Sequence, residues 1–594
     1  MDMRWSLEEL YSSFDSPEFK ADFTKIDLLI DQMKKWAKEN LASNDKPKEK
    51  IEYYINTAIE FANIFSKLMT YASLRSSVDA RDQDALKFMD KLEVKYNELT
   101  EPSVAFQKWL ASLDNLEDII NSSQLLREHS FYLKEKVQFS KYLLSEEQEV
   151  LIAKMSNTGS SAWSQLQDIL TSTLLVDIEI DGEKRELPLP VVRNMAYEGD
   201  AQLRKKAYEA ELEAYKKIEQ SSAACLNGIK GEVLTVSAMR GYKSPLEETV
   251  IKSRIDEETL NAMLDAMKES LPYFHKYYRR KAEILGHKNG LPFYDLFAPL
   301  GQMDMKFTYK EARDYIVKNF RSFSDKLADF ADNAFENRWI DAEPREGKMG
   351  GAFCSNIHAI KASRILTNFT GTFSDITTLA HELGHAYHGF CLEEESILNS
   401  DYTMPIAETA SIFCETIIMD ATLKEATEEQ AFGILESSIS DSGQVIVDIY
   451  SRFLFESRLF EIRKDHPLSV DELKELMMDA QKDAYGPGLD HEYLHPYMWI
   501  CKSHYYSANY NFYNFPYAFG LLFAKGVYAE YLKRGKAFVS EYDKLLQATG
   551  KNNIADVAKM VNIDIHSIEF WRSSLDLIKQ DIEKFMKLSE KYIK

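Results

Sequence analysis

The chain has 594 residues, of which 45% are hydrophobic and 12% aromatic, so it can build several compact lobes and is not a disordered protein. Its formal net charge of -23 repels phosphate backbones and anionic lipids, which argues against nucleic acids and membranes as partners. The five scattered cysteines contain no CxxC pair, no apolar run is long enough to span a membrane, and the first residues lack the pattern of a signal peptide. We therefore expect a soluble, cytoplasmic protein without a disulfide framework.

A helical pattern dominates the chain. Glycine and proline are scarce, at 23 and 15 residues, and apolar residues recur at three- and four-residue spacing. This periodicity predicts amphipathic helices over 23–42, 50–77 and 145–173, and over most of 200–285. The predicted fold class is mainly α.

One β-hairpin interrupts this pattern in the first third of the chain. Residues 174–187, LLVDIEIDGEKREL, alternate between apolar and polar side chains on either side of Asp181-Gly182. Asp-Gly favours a two-residue hairpin turn, so two antiparallel strands are predicted here. We place a loose boundary just after the hairpin, at residues 188–192.

A second β-prone segment, residues 345–375, comes immediately before the most informative motif. It is rich in glycine and contains the strand-like stretch 363–369, SRILTNF. Ser374 and Asp375 then supply an N-cap and a first-turn acid, which predicts that a helix begins there.

That helix contains the segment HELGH, residues 381–385. Residues four apart lie on one helical face, so His381 and His385 can direct two imidazoles at one divalent metal ion. Glu382 can reach a water bound to the metal without displacing it, and Gly384 allows close backbone packing. The alternative is an ordinary helix with two structural histidines. His388 is interpreted as a residue that supports the ligands or packs in the core, and not as a ligand.

A catalytic zinc ion needs a third protein ligand, and the downstream segment MPIAETASIFCE, residues 404–415, offers one. Pro405 suits the first turn of a helix, which places Glu408 near the helix start. Glu415 lies two turns further on and Ser411 lies between them, so both can orient metal ligands from behind. A solvent-facing glutamate is the alternative for Glu408, although its apolar neighbours favour burial.

A third segment, residues 491–520, is rich in tyrosine and contains His504. Aromatic stretches usually belong to a core, but a buried phenol needs a hydrogen-bond partner. These tyrosines and His504 could instead donate hydrogen bonds to a developing oxyanion.

Three stretches together resemble oligoendopeptidase F, in the thimet-oligopeptidase-like family of zinc peptidases. They are SRILTNFTGTFSDITTLAHELGHAYHG, MPIAETASIFCE and SHYYSANYNFYNFPYAFG, in this order and spacing. The likeness covers roughly residues 190–585, and the segment around 115–185 resembles the N-terminal region of the same family. The glycine-rich loop of the thimet branch is absent, which loosens the match in the third stretch.

The resemblance implies a mainly α, two-lobed metallopeptidase with a deep central channel and a small β insert before the HExxH helix. One zinc ion would be held by His381, His385 and Glu408, with Glu382 as the base. The remaining roles that it implies are substrate binding by an edge strand over residues 350–355 with 363–369, and transition-state contacts within 504–517. The residues selected for them are His504, Tyr510 and Tyr513 as catalytic groups, and Gly350, Gly351, Ala352, Tyr505, Tyr506 and Tyr517 as substrate-binding groups.

The predicted domains are an N-terminal helical region over 1–110, an oligoendopeptidase F-like N-terminal region over 111–190 and a zinc peptidase domain over 191–594. The predicted function is zinc-dependent hydrolysis of internal bonds in short peptides. Two alternatives stay open, namely a zinc exopeptidase of the carboxypeptidase or aminopeptidase type and a non-catalytic, peptide-binding helical scaffold. Side-chain preference and oligomeric state are left open.

Overall fold

The computed structural model describes residues 2–301 and 305–593, and over these residues the fold is mainly α, as predicted. None of the helices described is both long and apolar enough to cross a membrane. The α-helices, in chain order, are α1 Pro17–Asn40, α2 Pro47–Val78, α3 Gln83–Asn97, α4 Thr100–Ala111, α5 Leu116–Asn121, α6 Gln124–Glu128, α7 Ser130–Ser140, α8 Glu146–Thr158, α9 Ser160–Ser172, α10 Leu189–Asn194, α11 Ala201–Tyr215, α12 Glu219–Arg240, α13 Pro245–Lys252, α14 Glu257–Leu285, α15 Tyr309–Phe323, α16 Asp325–Glu336, α17 Phe373–Leu392, α18 Met404–Ala407, α19 Thr409–Glu425, α20 Glu428–Gly443, α21 Ile449–Arg463, α22 Val470–Tyr485, α23 Phe515–Arg534, α24 Val539–Ala548, α25 Ile554–Lys559 and α26 Ile568–Leu588.

One long predicted helix, over 145–173, is wrong as a single element. The structure has two helices there, α8 and α9, separated at Gly159. The carboxylate of Glu232 accepts hydrogen bonds from the backbone N–H and hydroxyl of Ser160, both at 2.7 Å, and so caps the start of α9. A Cβ at position 159 would lie 2.6 Å from Glu232 Oε2, so a larger residue there would displace the carboxylate that caps α9.

The predicted hairpin is confirmed. Strands β1, Leu175–Ile180, and β2, Glu183–Pro188, pair antiparallel with Ile180 opposite Glu183. The two turn residues have φ angles of 54° at Asp181 and 80° at Gly182, as a type I′ turn requires.

The second sheet has three strands and lies in the glycine-rich segment before α17. Its strands are β3 Ile340–Asp341, β4 Phe353–Ile357 and β5 Ala362–Leu366, in the order β3-β5-β4. The central strand, β5, pairs parallel with β3 and antiparallel with β4, and all five of its residues are buried. Strand β4 is therefore an edge strand, and both β4 and β5 pack against α17.

The chain divides into two compact units that are discontinuous in sequence. The first unit comprises Met1–Lys141, Asp304–Thr422 and Glu530–Ile563, and the second comprises Tyr142–Met303, Leu423–Ala529 and Asp564–Lys594. The domain boundaries predicted at residues 110 and 190 stay a prediction.

The N-terminal helices supply much of the apolar core of the first unit. One cluster joins α1, α2 and α3 to the sheet through Ile357 and Leu366. The buried guanidinium of Arg364 on β5 donates hydrogen bonds to the backbone oxygen of Ser6 at 2.7 Å and to Glu9 at 2.6 Å. The N-terminal segment thus fixes the sheet that supports α17.

Candidate metal centre

Helix α17 begins two residues before the predicted position. Thr372 is its N-cap, and Thr372 and Asp375 form a reciprocal capping box, so Ser374 is not the cap. Within this box Asp375 accepts from the backbone N–H of Thr372 at 2.8 Å, and it accepts a further hydrogen bond from the backbone N–H of Thr370 at 3.0 Å. Burial disfavours its charge, but these bonds outweigh burial and lower the pKa of Asp375. The helix that carries HELGH therefore has a rigid start.

The side chains of His381, His385 and Glu408 converge within the first unit. One donor atom from each lies within 4.8 Å of the others. Glu408 Oε2 is 3.3 Å from His381 Nε2 and 3.4 Å from His385 Nε2. Two imidazoles and one carboxylate are a donor set that catalytic zinc sites use, so these residues fit the predicted metal.

Glu408 lies between two helices rather than inside one. It follows the short helix α18, in which Pro405 occupies the first turn, and precedes α19. The Ser411 hydroxyl donates to Glu408 Oε2 at 2.8 Å and so fixes the carboxylate. Glu408 is thus held both by the backbone turn and by its own side-chain contact.

Gly384 allows α17 to approach the start of α19 closely. A Cβ at this position would lie 2.4 Å from the carbonyl oxygen of Ala410 and 2.5 Å from Ser411 Cα. Both neighbours are backbone atoms, so a larger side chain cannot be accommodated by a change of rotamer. The close approach brings the two histidines on α17 next to Glu408.

Outer contacts orient the two histidines. Glu415 Oε2 lies 3.4 Å from His381 Nδ1, on the ring edge opposite Glu408. The Asn356 amide donates to the backbone carbonyl oxygen of His385 at 3.1 Å. His388 is buried, stacks on Tyr402 at 4.0 Å and has Thr549 Oγ1 2.8 Å from its Nε2, as expected of a packing residue.

The charges of His381 and Glu408 depend on each other. Burial disfavours the charged forms of both His381 and Glu408. Their mutual contact outweighs burial, so the pKa of Glu408 is lowered, and contacts with Glu408 and Glu415 raise the pKa of His381 to about 10. Without a metal ion, a proton on His381 neutralises the carboxylate, and a divalent cation would replace that proton.

Glu382 is buried beside this group. Its side chain is 7% exposed, and Oε2 has no hydrogen-bond partner among the residues described. Burial raises its pKa and Glu408 adds to that effect, whereas the two neighbouring histidines oppose it. A buried carboxylate with an unused oxygen can accept a proton.

The predicted substrate-binding glycines lie in the loop that enters the edge strand β4. Gly350 and Gly351 are exposed, and Gly351 has a φ of 76°. The Lys348 ammonium is buried and donates to three backbone carbonyls, those of Asp341, Glu343 and Thr367, at 3.0, 3.0 and 2.6 Å. The loop is therefore held in place up to the predicted substrate-binding residues.

His504 and the predicted tyrosines lie in the second unit. The rings of His504 and Tyr513 are 5.5 Å apart, those of Tyr510 and Tyr513 5.4 Å, and those of Tyr513 and Tyr517 5.8 Å. Burial and the nearby cations Arg452 and Lys502 lower the pKa of His504, so its imidazole is neutral near pH 7.

Tyr505 and Tyr506 differ from the other tyrosines of this segment. They are 0% and 2% exposed, and the Tyr505 ring packs 5.1 Å from that of Phe455. Since buried rings of this kind would have to be uncovered to touch a substrate, we leave both out of the proposal below.

The loop that carries Tyr510 is anchored by a buried ion pair. The Lys230 ammonium donates to Glu456 Oε1 and to Asn511 Oδ1, both at 2.9 Å, and the lysine and glutamate side chains are 0% and 1% exposed. The Thr249 hydroxyl also donates to the Asn511 carbonyl at 2.8 Å. These contacts were not predicted from the sequence.

The contact of Asn356 with α17 was also missed by sequence reasoning. A Cβ at Gly389 would lie 2.4 Å from the Asn356 side chain, so glycine makes room for this residue. The Ser363 hydroxyl donates to Asn356 Oδ1 at 2.8 Å and fixes its orientation. In the sequence, only Gly389, one turn after His385, could have indicated that another residue approaches α17 closely.

Two models of known protein families match this chain. The family model described as peptidase family M3 matches residues 194–577, which include the whole HELGH helix and Glu408. The chain belongs to peptidase family M3. A second family model, described as oligopeptidase F, matches residues 111–174 of this M3 peptidase. The resemblance inferred from the sequence is confirmed, as is the prediction of a metallopeptidase.

Curated relatives match this M3 peptidase over nearly its whole length. Oligopeptidase PepF of Bacillus subtilis is 24% identical over 98% of the chain and 87% of that relative. Group B oligopeptidase PepB of Streptococcus agalactiae is also 24% identical, over 99% of the chain and 97% of the relative.

Solved structures share the fold. A crystal structure of a chain from Chlamydophila abortus matches with a TM-score of 0.84 and 22% identity, covering 98% of both chains. The crystal structure of oligoendopeptidase-F from Enterococcus faecium matches with a TM-score of 0.72 and 18% identity, covering 97% of this chain and 99% of that one.

Proposed function

We propose that this M3 peptidase is a zinc-dependent endopeptidase that hydrolyses internal bonds of short peptides. The observation that carries the proposal is the convergence of His381, His385 and Glu408 next to the buried carboxyl group of Glu382. Relatives named as oligopeptidases support short peptides as the substrate class. A relative named as an oligoendopeptidase F homolog supports cleavage within the peptide.

In the proposed site, His381, His385 and Glu408 hold one zinc ion. When bound, zinc acts as a Lewis acid towards the scissile carbonyl and lowers the pKa of a water molecule to about 7. Ser411 and Glu415 are positioning residues, because the first holds the Glu408 carboxylate and the second faces Nδ1 of His381.

Glu382 is the proposed general base. Its carboxylate accepts a proton from the attacking water and then delivers that proton to the departing amine. Burial raises its pKa, which makes the carboxylate a stronger base than a solvent-exposed glutamate. Oε2 forms no hydrogen bond with any described residue, so it is the atom available for this transfer.

The edge strand β4 is the proposed site of substrate alignment. An extended peptide can add to a free strand edge and satisfy its backbone hydrogen bonds there. Gly350, Gly351 and Ala352 lead into this strand, and the absence of large side chains permits close approach of a peptide backbone. The roles of His504, Tyr510, Tyr513 and Tyr517 rest on the sequence resemblance and stay predictions.

The test is cleavage of an internally quenched peptide whose two ends are chemically blocked. The proposal predicts a fluorescence increase and internal fragments by mass spectrometry, both lost in the Glu382→Gln variant. An exopeptidase would leave the blocked peptide intact but digest the same sequence with free ends. A peptide-binding scaffold would bind both peptides and cleave neither.

A further inference from the structure

The second unit contains a cavity of about 660 Å³ that the proposed chemistry does not use. Its lining comes from α9, α10 and α11, from residues 293–297 and from the segment that ends at Lys502. Much of its wall is aromatic, including Tyr197, Tyr208 and Phe297. Apolar walls with a few polar groups, at this volume, are typical of small-molecule and peptide-end sites.

We term this the Lys502 cavity. In the part of the chain that the structure describes, two of its three cationic side chains have an ion-pair partner, and the third does not. Arg193 lies 3.1 Å from Glu211, and Arg204 lies 2.7 Å from the buried carboxylate of Asp295. The Lys502 ammonium, by contrast, forms no hydrogen bond or ion pair among the residues described. It is a half-buried cation without a counter-ion.

The surroundings of Lys502 add to this imbalance. Burial disfavours its charge, and Arg452 and Arg193 repel it, so the pKa of Lys502 is lowered. Asp448 is the nearby carboxylate, but it already forms an ion pair with Arg452. Of the other two carboxylates of the lining, Glu211 is paired with Arg193 and Asp168 is exposed to solvent. An unpaired, partly buried cation is costly, and an anionic ligand would relieve that cost.

A second polar group points to a ligand in the same cavity. His495 lines it and is only 2% exposed, yet its Nδ1 forms no hydrogen bond within the described part of the chain. Its Nε2 lies 3.4 Å from Glu211 Oε1, so the ring is close to that carboxylate. Buried imidazole nitrogens normally have partners, so a ligand is the expected source of one.

We propose that the Lys502 cavity binds a carboxylate of a peptide, with the ammonium of Lys502 as its ion-pair partner and the aromatic wall in contact with an adjacent apolar side chain. The choice of a peptide rests on the proposed function. Two kinds of carboxylate fit this chemistry, namely the C-terminus of a short peptide and the side chain of an acidic residue. Lys502 is therefore a specificity-determining residue for anionic substrates.

The experiment measures binding rather than turnover, in the Glu382→Gln background, so that peptides stay intact. Three peptides are titrated by calorimetry, namely acetyl-Ala-Ala-Phe with a free C-terminus, the same peptide as its amide, and acetyl-Glu-Ala-Phe amide. We expect at least one carboxylate-bearing peptide to bind about tenfold more tightly than the uncharged amide, equivalent to about 1.4 kcal/mol. Which of the two gains affinity identifies the carboxylate.

Variants then assign the effect to Lys502. Lys502→Met should remove the preference for the carboxylate, and Lys502→Arg should retain it. Lys482→Met is the matched control, because its ammonium pairs with Asp479 on an exposed helix face and does not line the cavity. Circular dichroism establishes that each variant is folded.

Equal binding of all three peptides, or a carboxylate preference that survives Lys502→Met, would overturn the inference. Because binding is measured without cleavage, a carboxylate preference can persist even if the quenched-peptide assay fails. The two proposals therefore fail separately.

Discussion

Replacement of Gly384 by alanine tests whether close packing of α17 on α19 builds the metal centre. The added Cβ would lie 2.4 Å from the Ala410 carbonyl oxygen, about 1 Å short of an ordinary contact at 3.4 Å. Because the obstacle is backbone, one helix must move, which typically costs about 1–3 kcal/mol. Alanine offsets about 1 kcal/mol of this through its higher helix propensity.

The functional effect should exceed the effect on stability. Metal ligands tolerate about 0.2 Å of displacement, so a shift approaching 1 Å should lower zinc affinity at least about tenfold. Competition against a chromogenic chelator measures that affinity, and denaturant unfolding measures stability. Gly199→Ala is the control, since nothing lies within 4 Å of its added Cβ. Unchanged zinc affinity in Gly384→Ala would refute the packing argument.

Three further variants test separate parts of the account. Glu382→Gln should keep zinc bound but lower kcat by about 10²–10⁴-fold, because proton transfer is lost; kcat near that of the unmodified enzyme would exclude Glu382 as the base. Glu415→Gln should weaken zinc binding about 10–100-fold in the chelator assay, and no change would remove Glu415 from the support of His381. Lys230→Met should lower the free energy of unfolding by about 3–5 kcal/mol, because it leaves Glu456 buried and unpaired. Lys584→Met, which breaks an exposed pair, should change it by less than about 1 kcal/mol, and equal losses in the two lysine variants would contradict this reading.

Features encoded by neighbouring residues could be predicted from the sequence. The Asp181-Gly182 turn and the i, i+4 spacing of His381 and His385 depend only on residues close in sequence. The hairpin and the shared helical face of the two histidines could therefore be predicted. Glu408 could be selected because Pro405 predicted a helix start nearby. The family resemblance added the order and spacing of these segments.

Features that depend on distant residues could not be predicted. The start of α9 is capped by Glu232, which lies 72 residues after Ser160. The residues around Ser160 give no indication of that partner. Asn356 reaches the carbonyl of His385 across 29 residues. The two compact units interleave along the chain, and hydrophobic periodicity carries no information on which helices will pack together.

The most direct test of the metal centre is zinc stoichiometry together with the coordination of the bound ion. For the purified chain, elemental analysis should give one zinc per chain, and X-ray absorption should give only nitrogen and oxygen neighbours, two of them imidazoles. Glu408→Ala should lose most of the metal on dialysis. Sulfur neighbours, or a Glu408→Ala variant that retains its full zinc content, would contradict the proposed site.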